Sequence, residues 1–168
     1  ERIVEKKSLN PWLVKIPGVL VDYIMVSKPE NHWQTFGKQH DPSLSGEIRM
    51  PLGMIARMEL DERKVIARRA FKEIKDDFVV NLGIGVPEGI SSIANEKGLF
   101  EKMHLSVEAG ITGGLPAGGL NFGAAYNPDS IIDQPSQFDF YDGGGLDIAF
   151  LGLAQADRFG NVNVSKFG

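Results

Sequence analysis

One stretch limits the possible folds more than any other. Phe78-Val79-Val80-Asn81-Leu82 is an apolar, β-branched run that stops at Gly83-Ile84-Gly85. Pro87 then stands where a first helical residue is expected, and Pro87 to Glu96 reads as a short helix closed by Gly98. His104 to Val107 is a second strand, running straight into Glu108. Asp147 to Gly152 is a further buried strand. Alternation of this kind implies an α/β fold: an open, mainly parallel sheet with flanking helices. Ligands of such sheets sit off the carboxyl ends of the strands. Leu82-Gly83, Val107-Glu108 and Leu151-Gly152 are therefore three strand ends able to share one crevice.

The surrounding segments read less sharply. Asp61 to Lys75 has an N-cap aspartate and apolar positions Val65, Ile66, Ala70 and Ile74 at helical spacing. Prolines 11, 17, 29, 42 and 51 exclude long helices from the first 58 residues. Within them Val19 to Val26 reads as a strand and Pro29 to Thr35 as a surface loop. Gly110 to Gly123 is a glycine-rich loop, Ile131-Ile132 a short element before Pro135, and Tyr141 to Gly145 a tight turn. Asp157 to Asn161 is a turn into the strand-like Val162-Asn163-Val164. Most of the 20 glycines lie from Gly83 onward, which marks sharp turns or backbone that must approach a ligand closely.

Composition removes several classes of function. The net charge of −4, with no basic stripe, argues against nucleic acid as a partner. With no cysteine there are no disulfides and no thiolate metal sites, and His32, His40 and His104 lack metal-ligand spacing. Apolar runs such as Ile148 to Leu151 are too short to span a bilayer, and the charged first residues are unlike a signal peptide, so the expectation is no membrane association and a cytoplasmic setting. Glu1 is not an initiator methionine and Gly168 follows directly on a strand, which reads as a fragment of something longer.

Glu108 is the only acidic residue between Met103 and Tyr126. At a strand end, with Gly110 two residues on, its carboxylate would face open space with bare backbone beside it. A carboxylate is ionised at neutral pH and needs no base to act as a nucleophile. On pattern alone, a solvated glutamate remains the plainer reading. Gly83-Ile84-Gly85-Val86-Pro87-Glu88-Gly89 follows a strand and opens a helix, as phosphate-binding turns do. Its spacing is one residue longer than a dinucleotide fingerprint, and Pro87 removes an amide donor. A dinucleotide site is thus poorly supported.

Taken together, Val80 to Pro87, Val107-Glu108-Ala109-Gly110 and Gly152-Leu153-Ala154-Gln155-Ala156-Asp157 resemble the β-type half of family I CoA transferases. Pro29 to Thr35, Gly113 to Leu120 and Gln137 to Gly152 narrow the resemblance to the long single-chain acetate/propionate (acetoacetyl-type) CoA transferases. The resemblance implies the CoA-transferase fold, incomplete here, with residues 1–58 as linker and N-terminal edge and 59–168 as the truncated catalytic domain. It implies Glu108 as the nucleophile, with Gly83, Gly85, Gly110, Gly113 and Gly114 along the path of coenzyme A. The implied reaction is a ping-pong exchange of coenzyme A between a short-chain acyl-CoA and a carboxylic acid through a glutamyl-CoA thioester. Coenzyme A is then a substrate, and no metal or redox cofactor is required. A homo-oligomer of the full-length chain is implied as well. In the family, oxyanion donors lie downstream of the Asn161 to Gly168 segment and an α-type half precedes this region, so the chain alone is expected to be inactive. Ile111-Thr112 and Phe159 depart from the family pattern. Acyl-CoA hydrolysis and a non-catalytic CoA-binding or assembly module are the competing readings.

Overall fold

The computed structural model describes residues 3–54 and 56–166. Helix α1 (Glu62–Ala70) starts where the Asp61 carboxylate accepts the Lys64 amide at 2.9 Å. It ends five residues before Lys75, passing through a 3-10 turn at Phe71–Glu73. The reason is the reversal into strand β1 (Phe78–Leu82): Ile74 is extended, and Asp77 takes a positive φ of 64°. A 3-10 turn at Val86–Glu88 leads into α2 (Gly89–Lys97), closed by Gly98 in the left-handed conformation. Strand β2 (Met103–Val107) follows, then short strands β3 (Ile111–Thr112), β4 (Leu115–Pro116), β5 (Ala125–Tyr126) and β6 (Ser130–Ile131). Helix α3 (Gln134–Phe140), β7 (Ile148–Phe150), β8 (Gln155–Ala156) and β9 (Val162–Asn163) complete the order.

The main sheet runs β6-β3-β2-β1-β7. Its centre is parallel, with β1 between β2 and β7, while β3 and β6 add an antiparallel margin. The α/β expectation holds, and the parallel strands are the three anticipated from sequence. Strand alternation sorts the two faces. Val80 and Leu82 of β1 and Met103 and Leu105 of β2 pack against Ala67 of α1 and Ile90, Ile93 and Ala94 of α2. Each large apolar side chain buried this way contributes about 1.5–3 kcal/mol. Gly89 permits the close approach of the two helices, since a Cβ there would stand 3.0 Å from the Ala67 Cβ. Asn81 and Ser106, register partners, occupy the opposite face.

Four expectations need correction. The 19–26 segment forms no strand among the described residues: Gly18–Leu20 is a 3-10 turn, and Val19 and Tyr23 are 91% and 95% exposed. β-propensity without a sheet edge to pair with does not make a strand. In α1 the buried positions are Lys64 and Ala67, whereas Val65 and Ile66 are exposed. The 110–123 stretch is not one loop but contains β3, β4 and a 3-10 turn at Gly119–Asn121. Tyr141–Gly145 is a π-helical continuation of α3 rather than a tight turn, and α3 itself starts with Pro135 in its first turn.

The Pro29 to Thr35 loop is as expected, with a 3-10 turn at Pro29–Asn31 and the Trp33 indole donating to the Glu30 carbonyl at 2.7 Å. Beyond it the chain docks on the body. The Thr35 hydroxyl donates to Asn121 Oδ1 (2.6 Å), the Asn127 amide hydrogen-bonds both ways with the Met50 backbone, and Arg49 donates to the Asn127 carbonyl. Among the described residues, no helix is long and apolar enough to cross a membrane.

Candidate active site

β1, β2 and β7 are parallel and adjacent, so their carboxyl ends open on one edge of the sheet. A cleft of about 1090 Å³ lies there, lined by Gly83, Ile84, Gly85, Glu108, Leu151 and Gly152, with α1 and Phe122 as further walls. The three strand ends anticipated to meet do so.

Each end is shaped by backbone requirements. Past β1, the Gly83 amide donates to the Phe150 carbonyl at 2.8 Å, tying the exits of β1 and β7 together. A Cβ on Gly83 would sit 3.2 Å from that carbonyl oxygen. Gly85 has φ +89° and open space beside it. The Glu88 carboxylate accepts from the amides of Gly85 (2.9 Å) and Gly119 (3.2 Å), so one side chain holds two glycine segments beside the cleft.

At the end of β2, the register pairs Val107 with Ile111, which makes Glu108-Ala109-Gly110 a three-residue hairpin loop. The Gly110 amide closes the turn on the Val107 carbonyl at 2.9 Å. Gly110 has φ +109°, and any Cβ there would collide with the Ile132 carbonyl. Glu108, first in this loop, is half-buried and projects into the cleft lining. Among the described lining residues only Glu108 and Arg63 are charged.

Of the residues singled out in the sequence, the structure brings Glu108, Gly83 and Gly85 to one cleft. Gly110 lies next in the loop, while Gly113 and Gly114 sit in the turn after β3, apart from the cleft lining. A Cβ on Gly113 would strike Asp129, and one on Gly114 the Tyr126 carbonyl. Close packing accounts for both. No group of three or more His, Asp or Glu able to hold a metal occurs among the described residues.

Sequence reasoning missed Arg63, Phe122 and the bridging role of Glu88. Arg63 sits in the first turn of a surface helix, where arginine is ordinary, and Phe122 lies in a segment read only as loop. Glu88 carried a usable signal: an acid three residues after Gly85, within reach of amides left open at the start of a helix.

A polar chain lies behind the cleft, on the face opposite α1 and α2. Asn81 Nδ2 donates to the Tyr141 hydroxyl (3.3 Å), which donates to Ser106 Oγ (2.8 Å), which donates to the Val80 carbonyl (3.1 Å). Gln137, one helical turn before Tyr141, is 1% exposed.

In sequence and fold the chain is similar to known CoA-transferases. A caffeate CoA-transferase of Acetobacterium woodii is 50% identical over 163 residues, 96% of this chain and 31% of that protein. The crystal structure of the acyl-CoA transferase YdiF from Escherichia coli O157:H7, as apoenzyme, superposes with a TM-score of 0.81 at 40% identity, over 98% of this chain and 30% of that one. Its homologues are CoA-transferases. A thioester complex of the E. coli enzyme with CoA gives a TM-score of 0.78 at 38% identity, covering 98% of this chain and 29% of that chain. No protein-family model matches the chain. The chain thus spans about a third of the length of the CoA-transferases it matches.

Proposed function

We propose that this chain carries the nucleophile of a CoA-transferase and that Glu108 is that nucleophile. The observation that carries the reading is the placement of Glu108 as the one carboxylate, among the described residues, lining a cleft made by three parallel strand ends. Glycines at two of those ends leave room for a pantetheine arm beside it.

In this reading a Glu108 carboxylate oxygen attacks the thioester carbonyl of an acyl-CoA. The C–S bond breaks, and the thiolate leaves with its electron pair, giving an acyl-glutamyl anhydride. The thiolate then attacks the glutamyl carbonyl, releasing the first acid and forming a glutamyl-CoA thioester. A second carboxylic acid runs the sequence backwards and leaves as its CoA ester. Covalent catalysis keeps the thioester bond energy through the exchange and divides one difficult transfer into easier steps.

Each tetrahedral intermediate needs aimed hydrogen-bond donors, and losing one costs about 10²–10³ in rate in other enzymes. The family resemblance assigns such donors to sequence beyond residue 168 and an opposing wall to sequence before residue 1. The 168-residue chain by itself is accordingly proposed to be inactive, and the full-length protein to act on short-chain acids as a homo-oligomer.

The test is kinetic. In the full-length protein Glu108→Ala should lower kcat by at least about a thousandfold, the scale on which losing a covalent nucleophile acts. Added acetate should divert the CoA of another acyl-CoA into acetyl-CoA. Release of free CoA regardless of acetate would make the protein a hydrolase, and an unaffected Glu108→Ala variant would leave only a binding module.

A further inference from the structure

We infer that Arg63 holds the carboxylate of the incoming acid during the second half of the exchange. The inference rests on Glu108 being the nucleophile.

Arg63 is the second residue of α1 and lines both the main cleft and an adjoining pocket of about 240 Å³ bordered by Glu88, Ser91, Ser92 and Tyr126. Among the described residues five other cations form ion pairs: Lys64 with Glu96, Arg69 with Glu73, Arg49 with Asp129, Lys38 with Asp41 and Lys102 with Asp76; Arg63, exposed at the start of α1, is in none of them. Among the described residues, no carboxylate lies within ion-pair distance of Arg63. The rest of the lining is glycine and apolar side chains such as Ile66, Ile84, Phe122 and Leu153. A guanidinium presents a planar fork that matches a carboxylate with two parallel hydrogen bonds.

Charge then alternates with the reaction. While Glu108 is a free carboxylate, its charge and that of Arg63 cancel, and the cleft accepts a neutral thioester. Once Glu108 is a thioester, its charge is gone and Arg63 leaves the cleft positive. An anionic acid is now attracted, without a second carboxylate to repel it. Its oxygen attacks the glutamyl carbonyl, a C–O bond forms, the C–S bond breaks, and the CoA thiolate carries away the electron pair. The thiolate next attacks the acyl carbonyl of that anhydride, restoring the Glu108 carboxylate and forming the new acyl-CoA. Each half-reaction so admits its own substrate.

The experiment uses the full-length protein with Arg63→Gln and Arg63→Lys. Each protein is charged with acetyl-CoA, the glutamyl-CoA adduct is measured by mass, and the freed protein is chased with propionate. Both variants should still form the adduct, because excess acetyl-CoA drives charging to completion. The propionate concentration for half-maximal discharge should rise by about tenfold to a hundredfold in Arg63→Gln, as loss of a charged hydrogen bond predicts, and by less in Arg63→Lys. Normal charging with an unchanged propionate dependence would overturn the inference. So would slowed charging with normal discharge, which would assign the guanidinium to the phosphates of coenzyme A. Failure of both variants to charge, with native melting, would likewise refute it. No adduct in the unsubstituted protein would instead strike at Glu108 itself.

Discussion

Lys64 shows how far one residue can depart from what its type suggests. Its ammonium is buried between the helices, donating to the Met58 carbonyl at 2.7 Å and to Glu96 at 2.8–2.9 Å. The hydrogen bond from Lys64 holds the Glu96 carboxyl below its ordinary pKa. A folded pKa that is depressed stabilises the fold above the ordinary carboxylate range, and that contribution fades as pH falls below it. Removing one partner leaves a buried charge uncompensated. We therefore expect Lys64→Met to cost the full-length protein about 3–5 kcal/mol in denaturant unfolding, and Lys64→Met with Glu96→Leu to recover most of it. A loss under about 1 kcal/mol in the single variant would place the pair among weak surface contacts. None of this was legible in the sequence, where Val65 and Ile66 looked like the core face of α1. The helix is rotated from that expectation because Ala67 must meet Gly89, and Ile66 turns to the cleft instead.

Elements divide into those specified locally and those specified by partners. β1, β2 and β7 were readable because buried parallel strands are continuous apolar runs bounded by glycine or acid. So were β9 and the turn before it, organised by the Asp157 carboxylate accepting the amides of Phe159 and Asn161, whereas its partner β8 was not. The 19–26 segment failed because its β-branched residues have no strand to pair with in the described chain. Helix α3 escapes a reading by periodicity because it is only 7 residues long, with Pro135 in its first turn. Its role comes from distance: Tyr141 reaches Asn81 and Ser106, 60 and 35 residues away. The docked 35–50 segment has an acid-sensitive clasp. Hydrogen bonds from Lys38 and then Ser43 bring the Asp41 carboxyl from 3.8 to about 2. Being depressed, it stabilises the local fold of residues 38–43 above pH 3.8, and that contribution is lost as pH falls toward 2. Hydrogen exchange of residues 38–44 should thus accelerate between about pH 4 and pH 2 beyond the intrinsic rate change. Asp41→Asn should abolish the excess, and an identical profile in that variant would remove Asp41 from the account.

At the scale of the whole molecule, the sheet brings together what the sequence separates. Glu108, Gly83 and Gly152 lie on three different strand exits, and only parallel pairing through β1 puts them around one cleft. That convergence was foreseeable from strand order; the walls supplied by Arg63 and Phe122 were not, because they depend on how α1 and the 119–123 segment fold back. The central claim is that Glu108 becomes covalently attached to coenzyme A. Intact mass followed by peptide mapping, on full-length protein mixed with acetyl-CoA, tests it most directly. The account predicts a CoA adduct on the peptide containing Glu108, lost in Glu108→Gln. Bound coenzyme A with no adduct, or an adduct on another residue, would contradict it.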